Sequence, residues 1–175
     1  MTDPIKTVPL PTPAAPPGGV SAATASSGPT IPPIERIKLY SAETWEEFIT
    51  EWVDSLRDKY SNVEKCGGAG DMGRDIVAIS SKDASTWDNY QCKHYAKPLK
   101  PSEVWVEFGK LIYYTKRGDY AYPRKYFFVA PQGCGTTLSN LLKMPEKLKA
   151  DLLTNWERHC KDKITKTESV ELDDA

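Results

Sequence analysis

Gly-Arg-Asp-Ile-Val-Ala-Ile (73–79) and Tyr-Gln-Cys-Lys (90–93) decide how this chain reads. The first runs from a glycine through an acid into an apolar run, which predicts a strand with Asp75 at its mouth. The second places Gln91 and Lys93 two residues apart, so that in a strand both side chains point to one face. A carboxylate, an amide oxygen and an ammonium gathered on one rim of a sheet can hold a divalent cation and a phosphate.

The surroundings extend this pair into a domain. Residues 62–66 are a short strand candidate and Gly67–Gly73 a tight turn. Ile76–Ser80 is a strand, Asp83–Asp88 a polar connection and Asn89–Tyr95 a second strand, together a hairpin with a long loop. Upstream, residues 43–59 form an amphipathic helix with Ser41 as N-cap. Its broad apolar stripe is Trp45, Phe48, Ile49, Trp52, Val53 and Leu56. Downstream, after Pro98 and Pro101, Ser102 is expected to cap a helix reaching Lys116, with Val104, Phe108, Leu111, Ile112 and Thr115 on one side. Gly118 and Asp119 end it. Tyr126–Ala130 reads as a buried strand, Pro131–Gly135 as a turn, and Leu138–Leu142 and Glu146–Lys161 as helices. The fold class is therefore α/β, in the order helix, three strands, helix, strand, followed by a helical C-terminal extension.

Two glycine-rich stretches invite a nucleotide reading and do not support it. Gly68-Ala-Gly-Asp-Met-Gly73 satisfies G-x-G-x-x-G but leads into a strand, whereas a dinucleotide site needs these glycines to open a helix. They suit a turn with positive φ and close backbone approach. Pro131-Gln-Gly-Cys-Gly-Thr-Thr137 sits where a phosphate loop would sit but lacks the Gly-Lys-Ser/Thr ending. No nucleotide cofactor is expected.

Composition sets the remaining bounds. Residues 1–33 hold nine of the fourteen prolines and only two charges, Asp3 and Lys6. They read as a disordered, proline-rich arm that lacks the apolar run of a secretory signal. Residues 34–164 form the domain, and residues 165–175 an acidic, flexible tail. No run approaches 18 apolar residues, so no membrane span is expected. Cys66, Cys92, Cys134 and Cys160 are widely spaced without a C-x-x-C pair, and His94 and His159 are the only histidines, which argues against zinc and for a cytoplasmic chain with reduced thiols. The formal net charge is −1, yet residues 93–125 carry eight Lys/Arg against three acids. That stretch can serve as an electrostatic footprint for phosphates or as an ordinary solvated face.

The combination Gly-Gly-x-Gly-Asp-x-Gly-x-Asp-Ile before a strand, then Gln-Cys-Lys on the next strand, resembles the Mrr-like, type IV restriction branch of the PD-(D/E)XK nuclease superfamily. The likeness spans about Ala42 to Pro131. It implies a restriction-endonuclease-like α-β-β-β-α-β core with a mixed central sheet. In that branch Gln often replaces the second acid of the motif. Family members also carry a glutamate after an aromatic residue on the first helix. Trp45-Glu46 fits that pattern, with Glu51 and then Glu47 as alternatives.

The resemblance implies a metal-dependent DNA endonuclease using Mg²⁺ or Mn²⁺. Its catalytic residues would be Glu46, Asp75, Gln91 and Lys93. Metal ligands would come from the Asp75 carboxylate, the Gln91 amide oxygen and the Cys92 carbonyl, while Asp71 would shape the turn. The expected setting is the nuclease subunit of a prokaryotic anti-phage defence or restriction complex. A homo-oligomer or a partner protein would supply targeting, because 175 residues show no sensor or motor domain. The alternatives are a catalytically degenerate scaffold or binding module, and a recombination or repair nuclease.

Overall fold

The computed structural model describes residues 31–68 and 70–172, so the expectation of a proline-rich arm lies almost entirely outside the described residues. The chain divides between Pro32 and Pro33, and the unit Pro33–Ala175 carries all the helices and strands of the described residues. In chain order these are α1 (Pro33–Lys38), α2 (Ala42–Asp54), β1 (Tyr60–Lys65), β2 (Ile76–Ser80), β3 (Trp87–Cys92), α3 (Trp105–Arg117), β4 (Lys125–Val129), α4 (Thr136–Leu142) and α5 (Pro145–His159). A 3₁₀ turn, Pro101–Glu103, precedes α3.

The protein is mixed α/β. Its four strands lie in the order β1-β2-β3-β4. β1–β2 and β2–β3 are antiparallel, whereas β3–β4 is parallel and is joined by the crossover that contains α3. A parallel neighbour requires such a crossover, which brings a helix onto one face of the sheet. Alternation along the central strands then sorts the side chains. Ile76, Ala78, Tyr90 and Cys92 pack against Trp45, Ile49 and Val53 of α2. On the other face, Phe128 meets Phe108 of α3 beside a small core of Leu99, Val104 and Leu138. A third cluster joins α3 to α5 through Trp105, Trp156 and Cys160. Gly109 permits that approach, because a Cβ there would lie 3.0 Å from Ile164 Cδ1 and 3.2 Å from Cys160.

Several boundaries differ from expectation, each for a local reason. α2 stops at Asp54 rather than 59, where the Ser55 N–H closes on Glu51 O and the chain turns back at Leu56–Lys59. Ser41 does cap this helix, accepting the Thr44 N–H at 3.0 Å. Phe48 and Trp52 remain 37% and 45% exposed, so the apolar stripe is wider than the core it covers. β3 begins at Trp87 and ends at Cys92 instead of spanning 89–95. Asp88, read as part of a polar loop, enters the sheet because Arg124 neutralises it with two hydrogen bonds of 2.9 and 2.7 Å. Ser102 does not cap α3. The turn before it is held instead by the Lys100 N–H donating to Glu103 Oε2 at 2.7 Å.

Residues 165–172 differ most from the loose tail expected of them. The Trp156 indole donates to Val170 O at 2.9 Å, Lys161 pairs with Glu171 at 2.7 Å, and Val170 is buried. One apolar residue in an acidic stretch anchors it to α5. No helix among the described residues is long and apolar enough to cross a membrane.

Candidate active site

The turn before β2 fixes where Asp75 emerges. Asp71 Oδ1 accepts the Gly73 N–H at 2.9 Å, and Asp71 O accepts both the N–H and the Nε–H of Arg74 at 3.0 Å. Asp71 thus serves the turn. Gly73 has φ +81° and lies so close to α3 that a Cβ would sit 2.9 Å from Lys110 Cβ. The Arg74 guanidinium lies 4.5 Å over the Tyr120 ring. The turn is therefore seated on α3, and the next side chain, Asp75, enters the sheet rim on the α3 face.

Asp75, Gln91 and Lys93 share that face. Asp75 Oδ2 accepts the Gln91 Nε2–H at 2.8 Å and the Cys92 N–H at 2.7 Å. Gln91 Oε1 accepts from the Tyr126 hydroxyl at 3.0 Å. Lys93 follows the last residue of β3, and its N–H continues the ladder to Val129 O at 2.9 Å. Its ammonium donates to Glu107 Oε1 of α3 at 2.6 Å. Gln91 thus turns its amide nitrogen to Asp75 and its oxygen to Tyr126, whereas the resemblance implies that this oxygen shares a cation with Asp75. A carboxylate favours the N–H end of an amide that faces it.

Electrostatics single out Asp75. Burial pushes its carboxyl up to about 6; the Cys92 N–H and the Lys93 charge oppose the rise, and the negative charges of Glu46 and Glu107 add to it. Burial also works against the charge on Lys93, but the Glu107 carboxylate outweighs this and holds the ammonium above its ordinary value. Glu46 stands on α2, half-buried, with Oε2 3.6 Å from Lys65 Nζ. Its charge is felt at both Asp75 and Cys92, whereas Glu47 and Glu51 are exposed on the same helix. The Cys92 thiol points into the α2 core on the opposite face, and burial pushes it up to about 12.

Three further residues belong to this corner and escaped the sequence reading. Glu107 is only 4% exposed; its Oε2 has no hydrogen-bond partner among the described residues and lies 3.6 Å from Lys110 Nζ. Its position three residues after Val104 and four before Leu111 puts it on the apolar side of α3, which is the one signal the sequence offers. Tyr126 fixes the Gln91 amide, and burial raises its hydroxyl well above the ordinary value. Asn89 is fully buried beside Tyr126 in register, with no well-formed hydrogen bond to its amide among the described residues. Asn89, Gln91 and Lys93 form a polar column along one face of β3.

Among the described residues, no three His, Cys, Asp or Glu side chains are grouped to hold a metal ion. The donors present nevertheless suit a hard cation in kind. Mg²⁺ commonly takes one or two carboxylates and fills its remaining positions with water and phosphate. Asp75 supplies a carboxylate, and Gln91 an oxygen once its amide is turned. The Cys92 carbonyl lies on the same strand edge as the N–H that reaches Asp75, because a residue's N–H and C=O share an edge. No family model matches the chain, and searches of curated proteins and of solved structures return no match.

Proposed function

We propose that the Asp75 corner is the active site of a metal-dependent DNA endonuclease of the PD-(D/E)XK type, Mrr-like branch, acting as the nuclease subunit of a prokaryotic defence or restriction complex. The observation that carries this reading is the gathering of Asp75, Gln91 and Lys93 on one sheet rim, with the charge of Glu46 reaching Asp75. The order of helices and strands, with a parallel β3–β4 pair, supports the same assignment.

When bound, Mg²⁺ or Mn²⁺ supplies Lewis-acid stabilisation of a phosphate and acidifies water. Asp75, Gln91 and the Cys92 carbonyl are the residues that would hold it. The Lys93 ammonium, kept charged and aimed by Glu107, stabilises negative charge developing on the scissile phosphate. The Tyr126 hydroxyl can donate to the Gln91 oxygen or accept from its nitrogen, so it steadies the amide in either orientation.

A second reading, a nuclease-like scaffold that binds without cutting, has one observation in its favour: Asp75 Oδ2 is already occupied by two N–H donors. Incubation of supercoiled plasmid with Mg²⁺ or Mn²⁺, with and without co-purified partners, separates the two. The nuclease reading expects nicked or linear products from the wild type and none from Asp75→Ala. Intact plasmid in every wild-type reaction would leave the scaffold.

A further inference from the structure

Glu107, Lys110, Tyr114 and Arg117 recur at i, i+3, i+7 and i+10 and so lie along one stripe of α3. The stripe starts at the partner of Lys93 and runs about 15 Å along the axis at 1.5 Å per residue. Beside it opens a groove of about 500 Å³, walled by α3, by Gly68, Asp71 and Met72 and by residues 163–168. Its charged side chains are Lys110, Arg117, Lys163 and Lys166 against Asp71 and Glu168, four cations to two acids, in a chain of net charge −1.

The two acids are engaged locally. Asp71 accepts the Gly73 N–H within its own turn, and Glu168 Oε1 accepts from the Tyr113 hydroxyl at 2.7 Å. On the far wall the cations have few ties. Lys163 Nζ donates to the Arg158 carbonyl at 3.1 Å, and Lys166 forms no ion pair among the described residues. On the α3 wall Lys110 and Arg117 are paired, with Glu107 at 3.6 Å and Asp119 at 3.2 Å, so among the described residues the unpaired positive charge of the groove lies on its far wall, at Lys163 and Lys166.

We propose that this groove carries the sugar–phosphate backbone of the nucleic-acid strand flanking the scissile position. The choice of a nucleic acid rests on the nuclease reading, whereas the groove itself is tested without any cleavage. Phosphates neutralised by lysines release counterions, so their number is read from the salt dependence of binding.

The experiment uses the full chain in EDTA, with fluorescein-labelled duplex and single-stranded 30-mers and a labelled polyglutamate peptide, followed by anisotropy across a salt series. The double variant Lys163→Glu/Lys166→Glu is compared with Lys59→Glu/Lys82→Glu, whose lysines are exposed and do not line the groove. The groove variant is expected to bind duplex roughly tenfold more weakly. Its log–log salt slope should be shallower by about 1.8, from about 0.9 per phosphate contact. The control pair should match the wild type. Wild-type binding by the groove variant, no DNA binding by the wild type, or tighter binding of polyglutamate than of DNA would each overturn the assignment. Groove-dependent binding without cleavage in Mg²⁺ or Mn²⁺ would remove the nuclease reading and leave the groove standing.

Discussion

Two aspartates at opposite ends of the β2–β3 hairpin show what the fold does with a carboxylate when it is structural and when it is not. Asp88 is 1% exposed and fully partnered: Arg124 grips both oxygens, and the Tyr60 hydroxyl adds a bond of 2.8 Å. Burial disfavours its charge, yet these partners outweigh burial and hold the carboxyl below its ordinary range. Asp75 lies only partly buried, receives two N–H bonds on one oxygen, and is pushed up to about 6 by burial that its donors fail to offset. The first site is complete as it stands. The second is stabilised by added positive charge, the condition under which a cation or a phosphate-bound cation is welcome.

The largest stability effect should fall on the complete site. Asp88→Ala leaves the Arg124 guanidinium without its carboxylate and the Tyr60–Tyr90 hydroxyl pair without its acceptor. Arg124, with its side chain 41% exposed, can turn to water, so the cost falls chiefly on the buried hydroxyls and the lost charged hydrogen bonds and is expected to be about 3–4 kcal/mol in urea unfolding. A loss under about 1 kcal/mol would erase the contrast between the two aspartates.

Next comes the buried Lys93–Glu107 pair, with side chains 14% and 6% exposed. Removing Glu107 strands the Lys93 charge, whereas removing Lys93 leaves Glu107 with Lys110 at 3.6 Å, so Glu107→Leu should cost about 3 kcal/mol and Lys93→Met less. The double variant Lys93→Met/Glu107→Leu should return close to wild-type stability while remaining inactive. Additive losses in this cycle would show that the two side chains are not coupled.

A smaller effect has the opposite sign. The folded-state pKa of Asp75 is raised from 3.8 to about 6, so its neutral form suits the fold and stability falls as pH rises between those values. Asp75→Asn removes the charge and should raise stability at pH 7.5 by about 1–2 kcal/mol, a figure reduced for solvent screening. The gain should vanish near pH 4. Paired melts at the two pH values check it, and a loss of stability at pH 7.5 would contradict it.

The smallest shift concerns Gln91. Gln91→Glu replaces the N–H that faces Asp75 with a second negative charge and should destabilise the cation-free protein by about 1 kcal/mol. Added Mg²⁺ should then raise the melting temperature of this variant more than that of the wild type.

The sequence made the rim legible because glycines, an acid and strand alternation all bear on Asp75, Gln91 and Lys93 within a short span. Alternation alone put Gln91 and Lys93 on one face. What it missed depends on contacts distant along the chain. Asp88 reads as loop until Arg124, 36 residues later, neutralises it. Glu107 reads as one more helix charge until the crossover lays α3 over β3. The direction of the Gln91 amide depends on Tyr126, 35 residues away. The acidic tail docks through Val170, which charge counting overlooks.

Plasmid cleavage in Mn²⁺ by Asp75→Asn, beside the wild type under identical conditions, is the most direct test, because this variant should be at least as well folded as its parent. Nicked or linear DNA is expected from the wild type, and a roughly thousandfold slower reaction from Asp75→Asn. Cleavage by the variant at the wild-type rate would show that the Asp75 corner is not where the chemistry occurs.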